Sequence, residues 1–406
     1  MINSLSKALK SSFDQLVLAG PLFDPSGNLQ NMVVYPVFPT DFQSDPPQVI
    51  TLTEALRRGL RLSDTGIVNQ VHVHNPLAAP VLVGESDILL GSTQVRSVQF
   101  SGLIPPYRRA SLPVSCVEAG QPAVSKIPFT DAVACPWFVR SLKLDQLARH
   151  GEPHQNRIWE GIKDYLQNTG TKSSTQNVRA VFEEHDADIT HLSRNFPWCP
   201  GQTGVICSVG HNLFLELFSD PELLEDRYEQ TLHSAVVEAL SHPGENVTPK
   251  TQVDTLFDDI TEASVNNRVV QNRSIHDSGR ALVFSNQTIS GSALITGDKL
   301  VHLAAHKKCW GSSLPFVQQL DEFEQSRIEW QTEGKDLSNH LEQNYNRRRK
   351  EYQSFKNGLK PVTTQRLVGK QRPQEEAFTT EDKISPRPKP LSSGLHKFFL
   401  TLFRSR

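Results

Sequence analysis

Residues 81–118 admit few folds. Short apolar or alternating runs at 81–83, 88–90, 93–100 and 112–117 are cut by Gly84-Glu85-Ser86-Asp87, by Gly91-Ser92 and by Pro105-Pro106. Runs this short fall below the length of an ordinary helix, and glycine or proline at each joint marks a turn. The stretch predicts three or four short strands joined by tight turns.

Side chains two apart on a strand share a face. Gln94, Arg96 and Val98 therefore point one way, and Thr93, Val95 and Ser97 the other. An amide beside a planar five-donor guanidinium suits a phosphate, carboxylate or carbonyl ligand. The same pair also reads as a solvated strand face, or as a partner for a neighbouring strand's acid. Cys116 faces with Val114 and Glu118, leaving Ser115 and Val117 opposite. A lone strand cysteine is a small buried hydrophobe, or a nucleophile if distant sequence supplies a base. Glu85, Cys116 and Glu118 are the candidate catalytic groups, and Gln94 and Arg96 candidate ligand-binding ones.

Gly84-Glu85, Gly91-x-x-Gln94-x-Arg96 and Pro113-Val114-Ser115-Cys116-Val117-Glu118-x-Gly120 together resemble the ARG (ADP-ribosylglycohydrolase) and rhodanese-phosphatase-superfamily-associated protein domain family. The resemblance runs from about residue 14 to about His306. It passes through Gln155 to Trp159, Ser174-Thr175, Gly204 and Leu217-Phe218, and Val-Ser-Cys-Val-Glu is its most specific block. It implies an α+β domain linked to NAD and ADP-ribose metabolism, with no reaction assigned. The family's middle motif is usually Gly-x-Lys-Gln-Asn-Arg, and its third usually ends Gly-Arg-Trp. Thr93, Val95 and Gln121-Pro122 depart from that pattern here, removing one cation and one amide from the middle motif. The resemblance leads to an expected function: binding or processing of an NAD-derived, ADP-ribose-like metabolite. Gln94 and Arg96 would hold phosphate or carbonyl, and Glu85 or Glu118 would accept from ribose hydroxyls. An enzyme of this kind would be a hydrolase. The alternative is a non-catalytic scaffold or regulatory module that recruits a partner through its tail.

Elsewhere, residues 16–19 and 32–38 read as strands, and a short helix begins at Leu52 with Thr51 or Thr53 as cap. His72 and His74 share a strand face at a spacing that can chelate a metal. With no third ligand in the pattern they read as sheet-surface histidines, and no metal site is expected. Apolar residues at helical spacing predict helices over about 153–167, from about 176, over 221–240 and over 249–265. Ser173, Ser174 and Thr175 precede the second of these. They either cap it or offer hydroxyls to an anion, so Ser174 and Thr175 join the candidate ligand-binding residues. The acidic run 183–188 reads as a solvated helix face. A hairpin is expected around Gly210-His211-Asn212, and strands at 280–284, 290–296 and 300–304. Strands, then helices, then strands indicate α+β, with mainly antiparallel sheets and packed helices.

A chain of 406 residues can bury a real core, and five cysteines without CxxC spacing give neither a disulfide framework nor a zinc site. No secretory signal pattern is visible and no apolar run is long enough to span a bilayer, so a cytoplasmic location is expected. GxGxxG, Walker, GxSxG and HExxH patterns are all missing, and no cofactor is identified. The net charge of −2 hides an asymmetry: residues 331–406 carry 16 Lys and Arg against 8 Asp and Glu, leaving 26 against 36 elsewhere. An acidic body argues against nucleic acid as its partner, whereas the basic tail leaves that open. The expected division is an extension over 1–13, the α+β domain over 14–306, a charged helical segment over 307–356, a disordered linker over 357–394 and an amphipathic helix over 395–406. Leu395, Phe398, Phe399, Leu402 and Phe403 form that helix's apolar stripe. It would pack on its own domain, dock in a protein groove or lie on an anionic membrane. The partner expected for the domain is a small phosphorylated nucleotide-like ligand.

Overall fold

The computed structural model describes residues 3–41, 49–270, 279–309 and 335–359. Its spine is a nine-stranded antiparallel sheet. Strands Leu16–Leu18, Met32–Pro39, Gly204–Val209, Asn212–Phe218, Lys299–Lys308, Ile289–Thr296, Arg280–Ser285 and Asn267–Val270 lie side by side in that order, and Leu22–Phe23 also pairs with Met32–Pro39. Strict alternation buries this sheet on both faces. Met32 and Val34 join Trp137 and the apolar stripe of helix Pro221–Ser241 in one core. Val33, Tyr35 and Val37 join Leu5, Leu9 and Phe13 of helix Asn3–Phe13, with Leu256 and Ile260 of helix Leu256–Ala263, in another. Helix Asn3–Phe13, which falls within the expected N-terminal extension, therefore contributes to the core.

Between Met32–Pro39 and Gly204–Val209 the chain leaves the large sheet and builds a second β unit. Seven short strands there form one sheet and three form another, with helix Leu52–Arg57 between them and a shared apolar core. The one parallel pair among the described residues is Ile50–Thr51 with Val81–Val83. Thr51 caps the short helix by accepting from Glu54 N–H. The architecture is α+β, as the order of elements predicts.

Some boundaries differ. Only Arg96–Val98 of the expected 93–100 strand pairs regularly. The expected 249–265 helix breaks at Thr255 into Lys250–Asp254 and Leu256–Ala263. The helix expected from about 176 begins at Ala180, where no side chain caps it. A charged helix is present at Lys335–Gly358, and it packs on the body through Tyr345, Tyr352 and Lys356. The linker expected to be disordered over 357–394 starts inside this helix, which runs to Gly358; its remainder from residue 360 and the 395–406 helix lie outside the described residues. Among the described residues no helix is long and apolar enough to cross a membrane.

Candidate functional site

The family-like motif closes on itself. Arg96 and Gln94 are buried, and a guanidinium N–H of Arg96 donates to the Gln94 amide oxygen. The other arm of Arg96 reaches Asp64 Oδ2 at 3.4 Å. Gln94 Nε2 donates to the Glu118 carbonyl at 2.9 Å. The Glu118 carboxyl accepts from Val95 N–H at 3.1 Å and from the Thr175 hydroxyl at 2.7 Å. Strand Arg109–Cys116 supplies one side of this knot, and the 173–177 turn the other. At Gly120 a Cβ would sit 2.8 Å from Thr175 Cα, so only glycine allows the two backbones this close. The Gln155 side chain accepts from Cys116 N–H at 2.9 Å and donates to Cys116 C=O at 2.7 Å. Gln94, Arg96 and Glu118 thus come together inside the protein, with half-buried Thr175 at their edge. Ser174 is exposed, and Ser173 closes a turn by accepting from Asn177 N–H at 2.8 Å. The Cys116 thiol donates to the Glu118 carbonyl at 3.0 Å, and burial pushes its pKa up. That favours the protonated, unreactive form.

Glu85 belongs to a different cluster. Arg140, from helix Trp137–His150, donates through Nε to Glu85 at 2.8 Å and through Nη1 to Glu216 at 2.8 Å. Burial works against the Arg140 charge, but Glu216 and Glu85 outweigh it and hold its pKa above the usual arginine value. Burial likewise opposes ionisation of Glu216, yet Arg140 and His302 hold its pKa well below the carboxylate range. Glu216 also meets His302 Nε2 at 3.2 Å, and His302 Nδ1 meets the Ser101 hydroxyl at 2.8 Å. Lys143 donates to the Glu85 and Val98 carbonyls at 2.8 and 2.7 Å and to the Ser97 hydroxyl at 2.5 Å. Arg227 pairs with Asp87 and donates to Ser86 Oγ at 2.8 Å. The turn 84–87 is thereby stapled to two helices and the large sheet. A serine, a histidine and a carboxylate in line have the composition of a hydrolytic triad. Ser101, His302 and Glu216 are all sealed from solvent, so the line ties the core together.

An open chemical environment lies at the end of a ring stack that leads out of this cluster. The Arg140 guanidinium sits 3.6 Å over Trp137, which stacks on Phe214 at 4.7 Å, which stacks on His306 at 4.9 Å. His306 lines a cleft of about 320 Å³ with Phe138, Asp145, Arg149, Glu238 and Lys308. That volume lies at the small end of ordinary ligand sites. Glu238 Oε1 accepts from Phe138 N–H at 2.8 Å, and burial pushes the Glu238 carboxyl up to about 7. Burial pulls His306 down to about 3, with Lys308 and Arg140 adding to the effect, and its Nε2 meets Asn212 Oδ1 at 3.0 Å. A carboxyl raised to near neutrality in a cleft can give and take protons. No motif pointed to these residues. Glu238 sits on a helix whose apolar stripe reads as plain core, and its neighbours in space come from four other elements. Among the described residues no group of three or more histidine, cysteine or acidic side chains is placed to hold a metal.

Comparison with protein families matches residues 23–306 to the model described as ARG and Rhodanese-Phosphatase-superfamily-associated Protein domain. No curated protein and no solved structure matches the chain.

Proposed function

The chain belongs to the ARG and Rhodanese-Phosphatase-superfamily-associated Protein domain family, and on that premise we propose that it binds or processes an NAD-derived, ADP-ribose-like metabolite in the cleft between Phe138 and His306. The observation that carries this reading is a cleft in which Arg149 and Lys308 flank apolar walls and Glu238 titrates near 7. The cations suit a pyrophosphate, the exposed ring of Phe138 suits a base or nicotinamide ring, and Asp145 or Asn212 suits ribose hydroxyls. Glu238 is the group to protonate a leaving glycosidic atom or to activate water, which would make the activity hydrolytic. In this reading Gln94, Arg96, Glu118, Thr175 and Glu85 hold the walls of the fold, because their polar atoms bond inward. The location proposed is cytoplasmic.

The test is a thermal-shift and mass-spectrometric screen with NAD, ADP-ribose and nicotinamide mononucleotide, alongside Lys308→Ala and Glu238→Gln proteins. Ligand at 100 times its dissociation constant adds about 2.7 kcal/mol of stability. A shift that Lys308→Ala abolishes supports the cleft. A new product mass that Glu238→Gln abolishes makes the protein an enzyme. No shift with any of the three sinks the reading.

A second reading has its own support. The inward bonding of the motif residues and the packing of helix Lys335–Gly358 on the body suit a non-catalytic scaffold, whose basic C-terminal segment recruits a protein or an anionic membrane surface.

A further inference from the structure

The second β unit carries an array of cations on its open face. Strands Arg61–Asp64, Gln70–His74 and Arg109–Cys116 are neighbours, and their register puts Arg61 opposite His74 and His74 opposite Arg109. One step along, Ser63, His72 and Ser111 are aligned in the same way. Residues two apart share a face, so all six side chains project from one side of the sheet. They line an open cleft of about 930 Å³ to which no acidic residue among the described ones contributes.

Two cations thus flank one imidazole on the same face: Arg61 and Arg109 each stand one strand away from His74. Neither Arg61 nor Arg109 has an ion-pair partner among the described residues, and the nearby acid on the first strand, Asp64, faces the other way. Asp64 is buried and engaged with Arg96 Nη2 at 3.4 Å and Gly66 N–H at 2.8 Å. His74 records the uncompensated field: burial, then Arg109 and Arg61, lower its pKa. Two strand spacings separate the arginine backbones, about 10 Å. The side chains of both arginines and His74 line the same open cleft, so one small anion can reach both guanidinium groups.

We infer that this sheet face is a binding site for a compact phosphate group, such as pyrophosphate or the phosphates of a small metabolite, clamped by Arg61 and Arg109 over His74. Arginine forks take phosphate oxygens in pairs, and the Ser63 hydroxyl adds a donor beside them. The site lies in a different β unit from the Glu238 cleft and does not depend on that cleft's function. A bound anion would supply the countercharge that neither arginine has among the described residues.

The test uses the full chain and sodium pyrophosphate as probe, read by the histidine ring signals in carbon-edited NMR and by calorimetry. The expected result is saturable movement of the His72 and His74 signals. Binding should weaken by about tenfold or more in Arg61→Ala/Arg109→Ala, with the melting temperature unchanged. Arg61→Lys/Arg109→Lys keeps the charge but loses the forks, and should also bind more weakly than the parent. The His242 and His306 signals report separately on the other cleft. Two results overturn the inference: pyrophosphate leaves His72 and His74 unmoved, or a single-stranded oligonucleotide binds tenfold tighter than pyrophosphate through the same arginines. The second result would assign the face to an extended backbone instead.

Discussion

Gln155 treats Cys116 as a neighbouring strand would: its side-chain amide accepts the Cys116 N–H and donates to the Cys116 carbonyl, at 2.9 and 2.7 Å. A helix-start residue thus satisfies both backbone groups where the strand Arg109–Cys116 ends. Replacing it with alanine leaves two buried backbone groups unpaired and should cost about 1–3 kcal/mol in urea melts. Gln155→Glu keeps the acceptor and loses the donor, so it should fall between alanine and the parent at neutral pH. Equal midpoints for all three proteins would show that water replaces the amide without loss.

Arg140 stands between Glu85 and Glu216, all three fully buried. Arg140→Ala strips the compensating charge from two acids and should cost about 3–5 kcal/mol. Arg140→Met combined with Glu85→Gln should recover part of that loss, since it removes charge from both sides. Chemical denaturation of the three proteins checks the order. A single mutant no less stable than the double one would refute it.

Stability should fall as pH rises toward 8. Burial raises the Glu238 carboxyl from an ordinary 4.5 to about 7, so the folded protein keeps this proton when the unfolded chain has lost it. The stability it lends is whole below about 4.5 and is gone once pH passes the folded value, a change of about 3 kcal/mol. Glu222, raised by burial and by Glu225 to about 8, acts in the same direction. Glu238→Gln isolates the first contribution: it should flatten part of the pH profile and stabilise the protein at pH 8 relative to pH 5. Superimposable profiles for mutant and parent would remove Glu238 from this account.

All five cysteines are free and buried, and burial raises their thiol pKa values, that of Cys199 to about 12. A thiol reagent should therefore titrate almost nothing in the native state and all five after denaturation. Rapid native labelling at Cys116 would restore it as a candidate nucleophile.

The antiparallel sheets were legible because their signals are local. A run rich in β-branched and aromatic residues marks Met32–Pro39, and Gly210 marks the hairpin beyond Val209. Asp220 and Pro221 announce the helix that follows, where Asp220 accepts from Glu222 N–H at 2.9 Å. The pairing of Gln94 with Arg96 also follows from two-residue spacing. What spacing cannot tell is whether such a pair faces a ligand or the interior, because burial depends on segments far along the chain. Thr175 reaches Glu118 across 57 positions, and Arg140 reaches Glu216 across 76. Glu238 was hidden for the same reason. A glutamate on a long helix looks like a solvated one until the element that covers it is known.

The large sheet has a consequence for the order in which this chain can fold. Strand Met32–Pro39 is bordered on one side by Gly204–Val209, and that hairpin is in turn closed by Lys299–Lys308. On the ribosome, a strand whose first seven residues end up buried emerges early and waits for partners made much later. The second β unit, whose contacts are nearer in sequence, can assemble during that wait. Long-range pairing of this kind is slow, and an unpaired apolar strand edge invites association between chains. Nascent or truncated chains that stop before Gly204 should therefore need chaperone protection that the finished protein does not.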